Sequence, residues 1–218
     1  MQVMEDTIRR DLRDLAAAGR LLRVHGGALP ASPTHQPYEA RKGIHSGAKL
    51  RLGRAAAHLI QPGHIVILDG GTTHLALIDA LPRNLRCTIV THAPAIAAGL
   101  EAFDQIDIIL IGGRMFRHSM VACGPTAQAG FQRVRADLCF LGVTGLHPDH
   151  GLSTGDAEEA ALKCTLIQSA AEVVVLATED KLRATSAWQI APLAALATLV
   201  SPGERPDWLP VGSEHLPA

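Results

Sequence analysis

At 218 residues, with 47% hydrophobic and 19% charged side chains, the chain has the profile of a globular protein able to bury a sizeable core. No apolar run is long enough to cross a bilayer, and acidic and arginine residues stand where a secretory signal would be apolar, so a cytoplasmic protein without a membrane partner is expected. Aromatics make up only 3% of the chain, which leaves Ala, Leu, Ile and Val to build the core. Cys87, Cys123, Cys139 and Cys164 are widely spaced and form no C-x-x-C pair, which reads as ordinary thiols rather than a disulfide framework or a zinc site. No cofactor and no metal are called for.

The net charge of −1 hides an asymmetry: residues 1–54 hold ten Lys and Arg against five Asp and Glu, while the remainder holds ten against sixteen. A basic segment on an acidic body is the footprint of an arm that meets a polyanion, although a solvated arginine-rich helix has the same charge. Ile8, Leu12 and Leu15 recur at helical spacing and predict a helix over 4–18, with Arg9, Arg10 and Arg13 off the apolar stripe. Gly19 stops it. "RLLRVHGGA" then reads as a strand turning at Gly26-Gly27, with Arg20, Arg23 and His25 around the turn. A recognition helix in the major groove followed by a phosphate-touching wing uses these residue types in this order.

Thr7-Ile8-Arg9-Arg10-Asp11-Leu12, Gly19, Leu22-Arg23 and His25-Gly26-Gly27-Ala28 together resemble the DeoR family of bacterial transcriptional regulators. The resemblance implies that residues 1–29 are the recognition helix and wing of a winged helix-turn-helix. It makes Thr7, Arg9, Arg10, Arg13, Arg23 and His25 the DNA-contact candidates. Family members carry further helices before this point, and usually Ser where Met4 stands, so the expected N-cap is missing. Either the biological start lies upstream of Met1, or the chain is a truncated form with weakened DNA binding.

Residues 30–44 hold three prolines and read as a linker. A helix is expected over 46–60, then short apolar runs at 64–69, 87–91, 106–111, 137–143 and 172–177 alternate with helical segments. Such runs are strands covered on both faces, so the fold class is α/β with a largely parallel sheet flanked by helices, one domain over 45–218. The tail from Ser201 reads as irregular.

In such a sheet ligands sit beyond the carboxyl ends of the strands. There the first strand runs into Asp69-Gly70-Gly71-Thr72-Thr73-His74, which is either a phosphate cradle at a helix start or a tight turn capped by Thr. Thr91-His92, Gly112-Gly113-Arg114 and Gly142-Val143-Thr144-Gly145 add polar groups at other strand ends. His74 and His92 are either ligand hydrogen-bonders or satisfied core histidines. Asp156 and Glu159 form a capping-box pattern, and Glu159 with Lys163 reads plainly as an i,i+4 surface pair. Lys181 either closes over a phosphate or is solvated. His147, Asp149 and His150 share a loop near Asp156 without a recognised metal-ligand spacing.

From Lys49 to about Ser201 the chain resembles the DeoR sensor domain, whose fold is similar to ribose-5-phosphate isomerase. The resemblance rests on Asp69–Thr73, Gly112-Gly113-Arg114, Gly124-Pro125, Ala136-Asp137-Leu138 with Leu141-Gly142, and Glu159-Ala160 with Lys163. It implies a phosphorylated sugar effector, held among Asp69, Gly70, Gly71, Thr72, Thr73, Thr91, His92, Gly112, Gly113, Arg114, Glu159, Lys163 and Lys181. His92 replaces the family's usual Asn, and Thr178–Lys181 its Asp-Ser-Ser-Lys stretch. The isomerases' Asp-Gly-Ala-Asp motif is Gly142–Gly145 here, without a carboxylate, which points to binding without turnover. The expectation is a homo-oligomeric repressor of carbohydrate genes on operator DNA; the rivals are a truncated sensor that does not bind DNA and a sugar-phosphate isomerase or hydrolase.

Overall fold

The computed structural model describes residues 2–17, 21–24, 27–30 and 38–218. Helix α1 (Gln2–Ala17) forms on the expected stripe: Leu12 and Leu15 are half-buried, whereas Ile8 is 55% exposed. Thr7, Arg9, Arg10 and Arg13 are exposed on it, and Arg13 Nε donates to the Arg9 carbonyl at 3.3 Å. The expected wing is present as β1 (Leu21–Val24) and β2 (Gly27–Pro30), antiparallel with Val24 opposite Gly27. His25 and the side chain of Arg23 lie outside the described residues.

The segment expected to be a linker contains a helix, α2 (Tyr38–Gly43). Three prolines precede it and conceal it, but Tyr38 is only 5% exposed and its N–H donates to the His118 carbonyl at 3.2 Å. Tertiary docking, not local propensity, holds these six residues, since so short a helix is not stable alone.

The body follows in alternation: α3 (Ser46–Ala57), β3 (Ile65–Leu68), α4 (Thr72–Asp79), β4 (Cys87–Thr91), α5 (Pro94–Gly99) and β5 (Ile106–Leu110). A hairpin of β6 (Arg114–Phe116) and β7 (Val121–Cys123) leads to α6 (Pro125–Phe131) and β8 (Ala136–Phe140). Then come β9 (Gly145–His147), β10 (Gly151–Thr154), α7 (Ala157–Gln168) and β11 (Ala170–Leu176). A short 3-10 turn at Glu179–Lys181 precedes β12 (Trp188–Ala191), β13 (Thr198–Ser201) and β14 (Glu214–Pro217).

Seven strands form one sheet in the order β14-β13-β11-β8-β3-β4-β5, every neighbouring pair parallel. All five expected strands lie in it. Val66, Ile67 and Leu68 of β3 are all 0% exposed, and because successive side chains point to opposite faces, helices must cover both. Burying each such side chain contributes about 1.5–3 kcal/mol. Two expectations are corrected. The tail ends in a strand, β14, paired with β13 from Glu214 opposite Thr198 to Pro217 opposite Ser201. The stretch read as a loop around His147, Asp149 and His150 is the β9–β10 hairpin, to which β12 adds a third strand.

The path of the chain positions the site. It enters at β3, an interior strand, winds outward through β4 to the edge strand β5, then returns to β8 on the other side of β3. The connections leaving β3 and β8 therefore diverge, and a crevice opens beyond their carboxyl ends.

Candidate functional site

Asp69 follows β3 at that crevice and is 1% exposed. Its carboxylate is fully engaged. Oδ1 accepts from Gly70 N at 2.6 Å and His92 Nε2 at 2.8 Å; Oδ2 accepts from Gly142 N at 2.8 Å and Lys163 Nζ at 2.5 Å. Burial pushes the Asp69 carboxyl up, but Lys163 and His92 outweigh it and hold it well below the carboxylate range. Burial likewise opposes the charge on Lys163, and Asp69 and Glu159 overcome it to raise its pKa. Asp69 thus bolts α7, the end of β4 and the β8 turn to one point. Gly142 allows this close approach: a Cβ there would stand 3.0 Å from the Gly70 carbonyl and 3.1 Å from Asp69 Oδ2, and its neighbours would have to give by a few tenths of an ångström.

Above this floor lies a cavity of about 390 Å³. Gly71, with φ 142°, turns the chain into α4 without a side-chain cap, so the first N–H groups of α4 have no intrahelical acceptor. Gly70, Gly71, Thr72, Thr73 and His74 line the cavity. His74 Nδ1 lies 2.7 Å from the Asp69 carbonyl, which can only accept, so Nδ1 carries the proton and Nε2 the lone pair. Burial lowers the His74 pKa to about 4, against the pull of Asp69, and keeps the ring neutral.

Glu159, Lys163 and Lys181 also line the cavity. The plain surface-pair reading of the first two is corrected: Glu159 is 8% and Lys163 3% exposed, and their ion pair measures 3.8 Å. Asp156 does cap α7, accepting from Glu159 N at 3.0 Å. The capping box is not reciprocal, because Glu159 Oε2 accepts from Thr154 Oγ1 at 2.7 Å instead. Lys181 faces the cavity, its pKa lowered to about 8 by burial against the pull of Asp180, with Arg41, Lys49 and Lys163 adding to the lowering.

Other expected residues stand elsewhere. Thr91 and His92 are 0% exposed behind the floor; His92 Nδ1 lies 2.6 Å from the Ala122 carbonyl, and Thr91 Oγ1 accepts from Ala93 N at 3.2 Å. Gly112, Gly113 and Arg114 do not line the cavity, and Arg114 pairs on the surface with Glu158. His147 lies 3.9 Å from Asp149 and its ring 4.7 Å from that of His150. Among the described residues no three His, Cys, Asp or Glu side chains are grouped to hold a metal.

Sequence reasoning missed Arg41, His45, Lys49, His118, Asp180 and Ser186, all of which line the cavity. Arg41 comes from the end of the expected linker, and His45 follows directly after it. Lys49 is 8% exposed and donates to the Arg41 carbonyl at 2.6 Å, a pairing that needs the α2–α3 fold to exist.

The fold and cavity define a class: an α/β domain with a cation-lined cavity at the switch point of its sheet, preceded by a helix and a hairpin. Comparison with known proteins gives the family. Residues 44–202 match the DeoR C-terminal sensor domain and residues 1–34 the DeoR-like helix-turn-helix domain. The chain is 33% identical over 199 residues to the HTH-type transcriptional regulator GlpR of Haloferax volcanii, covering 90% of this chain and 78% of that protein. It is 32% identical over 180 residues to the glycerol-3-phosphate regulon repressor of Escherichia coli, covering 82% of this chain and 71% of that protein. The chain belongs to the DeoR family of transcriptional regulators. A crystal structure of eIF2B beta from Chaetomium thermophilum shares the fold at 13% identity and a TM-score of 0.50, over 71% of this chain and 48% of that one.

Proposed function

We propose that the chain is a cytoplasmic DNA-binding repressor of carbohydrate genes whose hold on operator DNA is set by a phosphorylated sugar in the cavity. The observation that carries this reading is the cavity's pairing of an uncapped helix start, Gly71–Thr73, with cationic side chains at the sheet's switch point. An exposed, arginine-bearing α1 followed by a hairpin supports the DNA-reading half. Relatives named as a transcriptional regulator and as a repressor of a glycerol-3-phosphate regulon support the same assignment.

Binding without turnover is supported by the state of the carboxylates. Asp69 is saturated by four donors, Glu159 is tied to Thr154 and Lys163, Asp156 caps α7, and Asp180 lies 3.5 Å from His45. Among the described residues, each of these acids is already engaged, which favours binding over general acid–base chemistry. Self-association is supported at the β5 edge, where Ile108, Ile109 and Leu110 are 39%, 47% and 51% exposed. A palindromic operator would then meet a two-fold dimer.

The test is fluorescence anisotropy with a DNA fragment from the promoter beside the protein's own gene, across a salt series and with added sugar phosphates. The expected outcome is salt-dependent affinity that shifts on adding one of them. Arg9→Ala with Arg10→Ala lowers DNA affinity and flattens the salt slope, while Thr72→Ala with Thr73→Ala abolishes thermal stabilisation by sugar phosphates. Unchanged DNA affinity in the first variant defeats the DNA-reading assignment, and intact stabilisation in the second defeats the cradle.

A further inference from the structure

The two matched segments end at residue 34 and begin at residue 44, so α2 belongs to neither. Yet α2 supplies a wall of the cavity through Arg41. One Arg41 nitrogen donates to the His118 carbonyl at 3.3 Å, while its Nε is buried with no hydrogen-bond partner. Ser186 Oγ, also on the cavity wall, is likewise buried without a partner. Among the described residues no carboxylate lies within ion-pair distance of Arg41, Lys49 or Lys181; the nearby Asp180 is engaged with His45.

Three cations and two unpaired donors around one cavity are incomplete on their own. A dianionic phosphate group accepts from both donors and neutralises the cations, and the planar Arg41 fork suits its oxygens. The consequence for α2 is mechanical. Six residues held by the buried Tyr38 ring, the Tyr38 N–H, the Arg41 side chain and Lys49 on the Arg41 carbonyl stay docked only while those contacts last.

Resting on the phosphate reading of the cavity, we propose that α2 is its transmission element: Arg41 binds the effector's phosphate together with the α4 N-terminus. Occupancy is thereby felt in the segment that leads to α1 and the wing. A ligand that binds the docked form of α2 better than the undocked form shifts that equilibrium, and the arm's tether shortens or lengthens with it.

The experiment uses the full chain with inorganic phosphate, against chloride at matched ionic strength, and reads melting temperature together with the rate of tryptic cleavage after Lys42. In the wild type, phosphate raises the melting temperature and slows that cleavage. Arg41→Gln weakens phosphate binding by about tenfold and removes the protection even at saturation. Arg41→Lys, which keeps the charge and loses the fork, falls between, and carries the test if Arg41→Gln does not fold. Identical behaviour of the wild type and these variants overturns the proposal, as does weakened binding with protection intact. If Thr72→Ala with Thr73→Ala loses the phosphate effect while Arg41→Gln keeps it, the cavity reading stands and the role of α2 falls. If phosphate does nothing to the wild type, both fall.

Discussion

The floor and the wall of the cavity hold similar side chains in opposite states. On the floor, Lys163 and Asp69 are almost fully buried and each charge meets its counterpart, 2.5 Å apart, with His92 and two backbone N–H groups completing the carboxylate. On the wall, Arg41, Lys49 and Lys181 gather with, among the described residues, no carboxylate in ion-pair range. A saturated network fixes geometry, whereas an unsaturated one stores a demand for an anion. The difference teaches that burial and charge alone do not locate a binding surface; the residue's unmet valence does. The two regions should therefore respond to substitution with opposite signs.

The largest effect belongs to the floor. Asp69→Asn leaves the Lys163 ammonium buried with only Glu159 at 3.8 Å, and should lower unfolding free energy by about 3–5 kcal/mol in urea titrations. Adding Lys163→Met to Asp69→Asn should recover part of the loss, so that the double variant costs less than the sum of the singles. Additive losses would mean that the pair is not coupled and that the floor is no network.

The next effect is acid lability. His74 has a folded pKa of about 4 against an ordinary 6.5, so between these values the unfolded chain binds more protons and stability falls as pH drops. The slope should reach at most about 1.4 kcal/mol per pH unit. Below that window Asp69, whose pKa is depressed, takes over as its carboxylate is protonated. Denaturant midpoints measured from pH 7 down to 2 check this. His74→Gln should flatten the upper part of the curve and leave the Asp69 part; an unchanged upper part would place the proton elsewhere.

Which of these features the sequence could disclose follows from range. Buried parallel strands read as unbroken apolar runs, so β3, β4, β5, β8 and β11 were legible, as was the Asp69–Thr73 turn that follows β3. The short β13 and β14 were not, because TLVS and EHLP carry no such run and β14 exists only by pairing with β13. Local spacing likewise presented Glu159 and Lys163 as a surface pair. The partner that buries Lys163 is Asp69, 94 positions away, and no period of the sequence records that distance. Arg41 was hidden for the same reason: its surroundings look like a proline-rich connector until the β6–β7 turn supplies the His118 carbonyl.

The smallest effect is the one that separates wall from floor most sharply. Lys181 carries its charge at a cost, since burial, with Arg41 and Lys49 beside it, lowers its pKa from 10.5 to about 8. Between those values the unfolded chain binds the extra proton, so this lysine's contribution to stability rises with pH across the window and is unfavourable below it. Replacing it should therefore help the fold and harm the site. Lys181→Met should raise the melting temperature at pH 7, where Asp69→Asn lowers it, and should weaken stabilisation by inorganic phosphate by about tenfold. Wild-type phosphate affinity should decline as pH passes through 8, and in Lys181→Met that decline should disappear. A variant that is less stable yet binds phosphate as the wild type does would move Lys181 from the wall to the floor, and with it the distinction between the two.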